Sequence, residues 1–309
     1  MMENTRKVTI LGTGSVGATL AYTLMLREIA GEILLVGRNR TKAEGEALDL
    51  SHAQAFLKSP ARIHAGELED AAGSEIVVVC ASVPQPAAIT GRNQLAQDNA
   101  ELMRQILPRL AKICPDCKLI MVTNPVDSLT WQAIQLTGFP PHRVFGTGTL
   151  VDSIRLRELL SIDLNIHAED LRAYVLGEHG DHQFAAMSFA QAGGEKIEFT
   201  PEREAFCERV RGFGVEIFKK KGNTSYGIAQ ATTYAIESIL RDEHRTMPLS
   251  VSLDGYLGLH DLCLSVPVVV GRKGIERYIT PKLSDQEIDQ FNQAAAAVSS
   301  VISTLNCKP

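Results

Sequence analysis

Four short apolar runs punctuate the first half of the chain, and helical spacing fills most of what lies between them. Lys7–Leu11, Glu32–Val36, Ile76–Cys80 and Leu119–Thr123 read as strands buried on both faces. The spacing predicts an apolar helix over Ser15–Arg27 and a second from Thr41 to about Phe56, with Ala43, Ala47, Leu50 and Ala53 or Gln54 on one face. A long third helix is predicted from about Asn93 to Ile113. Strands alternating with helices imply right-handed βαβ units and a parallel sheet covered on both sides, carried through about Gly146.

The second half has a different rhythm. Helices are predicted from about Thr149 to Leu160, over Pro201–Lys220, and from Ser225 to about Arg241. Leu171–Leu176 reads as a strand. Met247–Ile279 reads as a strand meander broken at Asp254-Gly255 and again between Gly271 and Gly274. Ser284 and Glu287 form a capping-box pattern, and Ile288, Phe291, Ala295, Val298, Ile302 and Leu305 follow at helical spacing. There is no repeat and no low-complexity linker, so the two halves are expected to share one compact body with a cleft between them.

Length and composition narrow the class. A chain of 309 residues, 45% hydrophobic and 22% charged, suits a globular enzyme of one large or two ordinary domains. A net charge of −5 argues against nucleic acid as a partner, because phosphate contacts need a basic face. No apolar run approaches membrane-spanning length, and the chain enters its first strand directly, so no membrane partner and a cytoplasmic location are expected. The six cysteines show no framework spacing. Cys114-Pro115-Asp116-Cys117 reads either as a redox pair or as a helix-to-strand turn carrying two thiols, and the missing thioredoxin-like context favours the turn. No second ligand pair stands at matching spacing, so no metal is expected.

Gly12-Thr13-Gly14-Ser15-Val16-Gly17 follows a predicted strand and opens a predicted helix, the context that gives a glycine-rich turn its dinucleotide-binding meaning. Gly12 would allow the tight turn, Gly14 the close approach of a pyrophosphate, and Gly17 the packing of helix on strand. A carboxylate for the ribose 2′-hydroxyl is expected at the end of the second strand, but the chain carries Gly37-Arg38-Asn39-Arg40 there. A guanidinium can pair with a 2′-phosphate that a carboxylate would repel, so NADP(H) is favoured over NAD(H). The alternative is that Arg38 and Arg40 are solvated loop charges.

Gly177-Glu178-His179-Gly180-Asp181-His182 offers an acid/base histidine in a short glycine-flanked segment, and Asp152-Ser153-Ile154-Arg155 stands upstream. A carboxylate orients an imidazole and a guanidinium holds a substrate carboxylate, which together describe hydride transfer to and from a 2-oxo acid. With Asn124-Pro125-Val126-Asp127 and the glycine turn, the ordered set resembles the L-lactate/malate dehydrogenase family along nearly its whole length.

The resemblance implies an α/β fold: a Rossmann-type doubly wound parallel sheet over residues 1–146, then a mixed α/β substrate domain over 147–309. It makes His179 the proton donor and acceptor, Asp152 its partner, and Arg155, three residues on and near the same helix face, the clamp on the substrate carboxylate. Arg92 matches a mobile-loop arginine that polarises the substrate carbonyl, and the loop from about Ser82 to Gly91 would close over the site. Asn124 is placed near the substrate oxygen and nicotinamide ribose, Thr224 beside the substrate, and Ile228 and Asn99 with the cofactor, as are Gly37, Arg38 and Arg40.

Within that family a dicarboxylate needs a second loop arginine, but residues 82–91 carry no charge. Gln85, or Pro86 in a shifted register, stands where lactate dehydrogenases have glutamine. A monocarboxylic 2-oxo acid is therefore expected, pyruvate first, with a larger apolar side chain left open by Pro86-Ala87-Ala88-Ile89. The alternative is a malate dehydrogenase with an atypical loop. A metal- and NAD-dependent glycosidase lacks its cysteine ligand here, and a non-catalytic redox sensor would have no use for His179, Asp152, Arg155 and Arg92 together. The resemblance also favours a homo-oligomer, a tetramer first. It places Arg157 and Arg172 either at an anionic effector site between subunits or on a plain surface.

Overall fold

The computed structural model describes residues 6–83 and 92–305, with the side chains of residues 92 and 93 left aside. In chain order the first half runs β1 (Lys7–Leu11), α1 (Ser15–Arg27), β2 (Glu32–Val36), α2 (Arg40–Ala53), β3 (Arg62–Gly66), β4 (Ile76–Val79), α3 (Arg92–Ile113), β5 (Lys118–Met121), α4 (Val126–Thr137) and β6 (Val144–Gly146). The strands lie parallel in the order β3-β2-β1-β4-β5-β6.

Alternate strand residues feed two cores. Ile10, Ile33, Ile76, Val78 and Ile120 pack on the side of α1, whereas Leu34, Val77, Val79, Leu119 and Met121 pack on the side of α3 and α4. Burial on both faces is why these strands are apolar without alternation.

The second half contains α5 (Leu150–Leu164), β7 (Leu171–Arg172), β8 (Val175–Gly177), β9 (Gln183–Ala185), β10 (Gln191–Ala192), β11 (Glu195–Lys196), α6 (Pro201–Lys221) and α7 (Tyr226–Arg241). It ends with β12 (Arg245–Tyr256), β13 (Leu259–Gly271), β14 (Gly274–Tyr278) and α8 (Asp285–Ile302). The parallel sheet does not stop at β6. Antiparallel β12 joins it, β13, β8 and β9 continue it, and β14 pairs with β13, so eleven described strands form one sheet. α1 packs on α7, and the buried carboxylate of Glu237 is held between Arg27 (2.6 Å) and Arg241 (2.5 Å).

Several elements differ from the sequence reading. β3, β6 and α4 were not expected. The reading Leu171–Leu176 divides into β7 and β8, and α5 continues to Leu164. α2 gives way to a 3-10 turn over Gln54–Phe56, and Gln54 rather than Ala53 turns inward. The meander turns after Tyr256, where Leu257 and Gly258 take positive φ, whereas Asp254-Gly255 forms a bulge inside β12. The capping box of α8 is present, each side chain accepting the other residue's backbone N–H.

Candidate active site

The glycine turn sits at the carboxyl edge of the parallel strands. Gly12 has φ +106°, and a Cβ there would lie 2.6 Å from the backbone nitrogen of Ala81. A Cβ at Gly17 would lie 1.9 Å from the carbonyl oxygen of Gly12, so both positions demand glycine. Gly14, the N-cap of α1, has open space around it and leaves the first N–H groups of the helix accessible. That is the cradle a pyrophosphate needs, so the residues fit a nicotinamide dinucleotide.

At the end of β2 a Cβ at Gly37 would lie 2.5 Å from Thr13 Oγ1, and no acid stands there. The two arginines separate in their roles. Arg40 is committed to Glu44 (2.8 Å) and Glu67 (2.9 Å), tying α2 to the turn after β3. Arg38 is exposed and has no ion-pair partner among the described residues. Of the two arginines expected to face a 2′-phosphate, only Arg38 is left without an ion-pair partner among the described residues.

The catalytic set is assembled by α5 and the segment after β8. Thr149 Oγ1 donates to the carbonyl of Val175 (2.5 Å), and Val175 N donates to Ser153 Oγ (2.9 Å), so the start of α5 is locked to the strand that delivers His179. Gly177 takes φ +89°, and Glu178 folds back to accept from His182 at 2.7 Å, closing the turn that carries His179. As a result His179 Nδ1 lies 2.7 Å from Asp152 Oδ2, and Arg155 Nη1 donates to Asp152 Oδ1 at 2.9 Å.

The electrostatics follow from that geometry. Burial opposes the charge on Asp152, but attraction to and hydrogen bonding with His179, then Arg155, outweigh it and hold the carboxyl below the usual aspartate range. Burial likewise opposes the imidazolium of His179. Asp152, and after it Asp127, outweigh that cost and raise its pKa, against a small push down from Arg155. An ionised Asp152 makes Nδ1 the donor, and Nε2 is the nitrogen left for chemistry.

The remaining assignments fare unevenly. Asn99 is 1% exposed, and its amide is used within the chain: Nδ2 donates to the carbonyl of Asn124 (2.8 Å) and Oδ1 accepts from Val83 N (2.8 Å). It braces Asn124 and the base of the loop. Thr224 and Ile228 flank the start of α7, half-buried, with Ile228 against the main core. Arg92 opens α3, but its side chain and the whole of Gln85 lie outside the described residues, as does most of the 82–91 loop.

The sequence reading missed Asp127. It is 2% exposed and its Oδ2 accepts the backbone N–H of His179 at 2.8 Å. Asn124-Pro125-Val126-Asp127 was the available signal, with its acid unassigned. Cys114 and Cys117 are free and buried, so the C-x-x-C is a packed turn.

A dinucleotide cradle beside a carboxylate-braced histidine and an arginine defines a class: dehydrogenases that move a hydride between a nicotinamide and a small acid. Comparison with known proteins narrows this. Residues 6–146 match the lactate/malate dehydrogenase NAD-binding domain, and residues 149–306 match the α/β C-terminal domain of the same family. The chain belongs to the lactate/malate dehydrogenase family. It is 39% identical to the L-lactate dehydrogenase of Acetivibrio thermocellus over 97% of this chain and 98% of that one. It is 38% identical to the L-lactate dehydrogenase of a Thermoanaerobacter species, over 97% and 99%. In three dimensions it is similar to the minor L-lactate dehydrogenase of Enterococcus mundtii, with a TM-score of 0.95, 32% identity, and coverage of 99% and 100%. It is also similar to the malate dehydrogenase of Aeropyrum pernix, with a TM-score of 0.91, 34% identity, and coverage of 97% and 98%. The chain is thus a lactate-dehydrogenase-like oxidoreductase with a nicotinamide-binding domain. None of its described helices is long and apolar enough to cross a membrane.

Proposed function

We propose that the chain interconverts a monocarboxylic 2-oxo acid, pyruvate first, and its L-2-hydroxy acid, using NADP(H) in preference to NAD(H). The observation that carries the reading is the His179–Asp152 bond of 2.7 Å, with Arg155 on the other oxygen of the same carboxylate. The bound nicotinamide supplies or accepts the hydride. Every other requirement falls on side chains of this chain.

Arg155 holds the substrate carboxylate through guanidinium nitrogens that Asp152 does not use, and so fixes the reacting carbon. His179 presents protonated Nε2 to the carbonyl oxygen and releases that proton as the oxygen becomes an alcohol. Asp152 stays ionised throughout and stabilises the imidazolium. Arg92 would add positive charge at the same oxygen, and Asn124 would position it from the end of β5. In the reverse direction a neutral His179 takes the hydroxyl proton.

The uncharged 82–91 stretch supports a monocarboxylate, since a second carboxylate in a closed pocket would stay unpaired. Malate dehydrogenase is the second reading, favoured by the likeness to the Aeropyrum pernix enzyme. Arg38 and Gly37 support the 2′-phosphate. Parallel assays of NADPH and NADH with pyruvate, oxaloacetate, phenylpyruvate and 2-oxoisocaproate test the whole reading. Faster reduction of oxaloacetate than of any monocarboxylate overturns the substrate, and tighter NADH binding overturns the cofactor.

The division of labour between residues 1–146 and 147–309 is part of the same proposal. So is a homo-oligomer, which the exposed Tyr22, Leu26 and Leu48 on α1 and α2 favour, with a tetramer suggested by family likeness. Arg157, stacked over Tyr174, lies close enough to Arg172 for the two charges to disfavour one another, which a bound anion would relieve. The described cysteines, all free thiols, suit a reducing, cytoplasmic setting.

A further inference from the structure

Past its last residue α7 turns left-handed. Asp242 and His244 both take positive φ (57° and 54°), and their side chains meet that of Glu276 on β14. The turn between β13 and β14 holds both carboxylates in place. Arg272 N donates to Asp242 Oδ1 at 2.8 Å, and Lys273 N donates to Glu276 Oε1 at 3.2 Å. A Cβ at Gly271 would lie 2.5 Å from Glu276 Oε1 and 3.2 Å from Asp242 Oδ1, so two anions converge where this residue has no side chain. Like charges repel at such range, and a cation between them relieves the repulsion.

The histidine supplies a neutral donor to the same point. His244 Nδ1 lies 2.9 Å from the carbonyl oxygen of Asp242, and a carbonyl only accepts, so Nδ1 carries a proton. In the neutral ring Nε2 then turns its lone pair toward Glu276 Oε2 at 3.1 Å and Asp242 Oδ1 at 3.8 Å. Lone pair would face lone pair unless something positive stood among the three atoms. A ring bonded to a backbone carbonyl through one nitrogen, with the other nitrogen free, is the arrangement of a metal-ligating histidine. Arg272 approaches the remaining oxygen, Asp242 Oδ2, only at 3.9 Å, too long for a hydrogen bond.

We propose that Asp242, His244 and Glu276 form a site for a divalent transition cation of the zinc type, separate from the catalytic set. One ligand atom from each residue lies within 4.8 Å of the other two. A nitrogen with two carboxylate oxygens suits zinc, whereas calcium and magnesium take oxygen alone. Ligands bound at about 2.0–2.2 Å stand no more than about 4.4 Å apart, and the spans of 3.1 and 3.8 Å fall inside that limit. Asp242 is half-buried and the other two are exposed, so an ion can enter from solvent and water can complete its coordination. The ion ties the end of α7 to the β13–β14 hairpin. Sequence spacing did not announce the set, and no metal was expected, because Glu276 joins it from a strand far along the chain.

Zinc titrated calorimetrically into the chelator-stripped full chain tests the site. Wild type should take up one Zn²⁺ per chain at this point, and His244→Gln and Glu276→Gln should each weaken that binding at least about tenfold. Saturating zinc should raise the melting temperature of wild type by about 2–4 °C and leave both variants unmoved. The site should persist in His179→Asn, where the catalytic imidazole no longer competes for the metal.

No zinc uptake by wild type, or equal uptake by H244Q and E276Q, overturns the proposal. An imidazolium paired with two carboxylates and nothing more would give that result. Loss of the site in H179N places the zinc at the catalytic histidine and overturns it as well. If one of the two glutamine variants fails to fold, the other decides.

Discussion

His179 and Asp152 stand 27 positions apart in sequence, on different elements, and meet through Nδ1 and Oδ2 at 2.7 Å. The strand and the helix that carry them are bonded to each other before either reaches the site. The imidazole is therefore oriented by the fold, without waiting for substrate.

His179→Asn should abolish turnover while leaving the dinucleotide turn intact. A drop of about 10³-fold or more in kcat is expected from loss of general acid–base catalysis. Fluorescence titration should give a cofactor Kd within a few-fold of wild type. Retained turnover would remove His179 from its role.

Because Asp152 keeps its proton affinity low and raises that of His179, reduction and oxidation should show opposite pH dependence. The kcat/KM for 2-oxo acid reduction should fall as pH rises through the elevated pKa of His179, and that for hydroxy-acid oxidation should rise. Stability follows the same pair. The share from protonated His179 is complete below its ordinary value of about 6.5 and is lost as pH climbs through the raised one. The share from ionised Asp152 is present above the usual aspartate value and is lost as pH drops below it. Asp152→Asn should lower the reduction-limb pKa, and thermal melts across pH should lose both dependences.

Arg155→Lys keeps the charge and discards the planar fork. Two charge-assisted hydrogen bonds at about 1.5–3 kcal/mol each set the scale, so kcat/KM for pyruvate should drop by ~10²- to 10⁴-fold. Cofactor binding should not change. A loss below about fivefold would show that another group holds the carboxylate.

Arg38→Ala tests the cofactor assignment without disturbing the fold, since the side chain is exposed and unpaired among the described residues. One phosphate contact at about 1.5–3 kcal/mol predicts a ~10- to 100-fold rise in KM for NADPH and little change for NADH. Arg40→Ala should instead lower the melting temperature slightly, because its partners are Glu44 and Glu67. Equal effects on both cofactors would return Arg38 to the solvent.

Much of this was legible in the chain. Past the charged first residues Lys7, Glu32 and Lys118, β1, β2, β4 and β5 are apolar but for the buried Thr9, because both faces are covered, and that pattern cannot be mistaken for a surface. β3 was hidden because Arg62-Ile63-His64-Ala65-Gly66 lies at the sheet edge with one partner, so it mixes polar and small residues. β6 is three residues long, and α4 begins at Val126 after an N-cap proline, Pro125, with no capping side chain to announce it. In the site, spacing pointed to Asp152, Arg155 and His179. It could not point to Asp127, whose bond to His179 spans 52 positions, nor to Asn99, which reaches 25 positions to Asn124. Arg40 shows the opposite failure: the local sequence offered a free cation, and folding gave it to two glutamates.

The union of β6 with β12 rests on a single register pair, Gly146 opposite Ser250, and a Cβ at Gly146 would lie 2.5 Å from Thr130 Oγ1. Among the described strands that narrow weld joins two half-sheets into one plate, and it lies beside the buried carboxylate of α4. A chain severed after residue 146 would bare the rim of β6 and orphan Ser250. The two fragments should therefore be insoluble or inert apart, and recover only when annealed together.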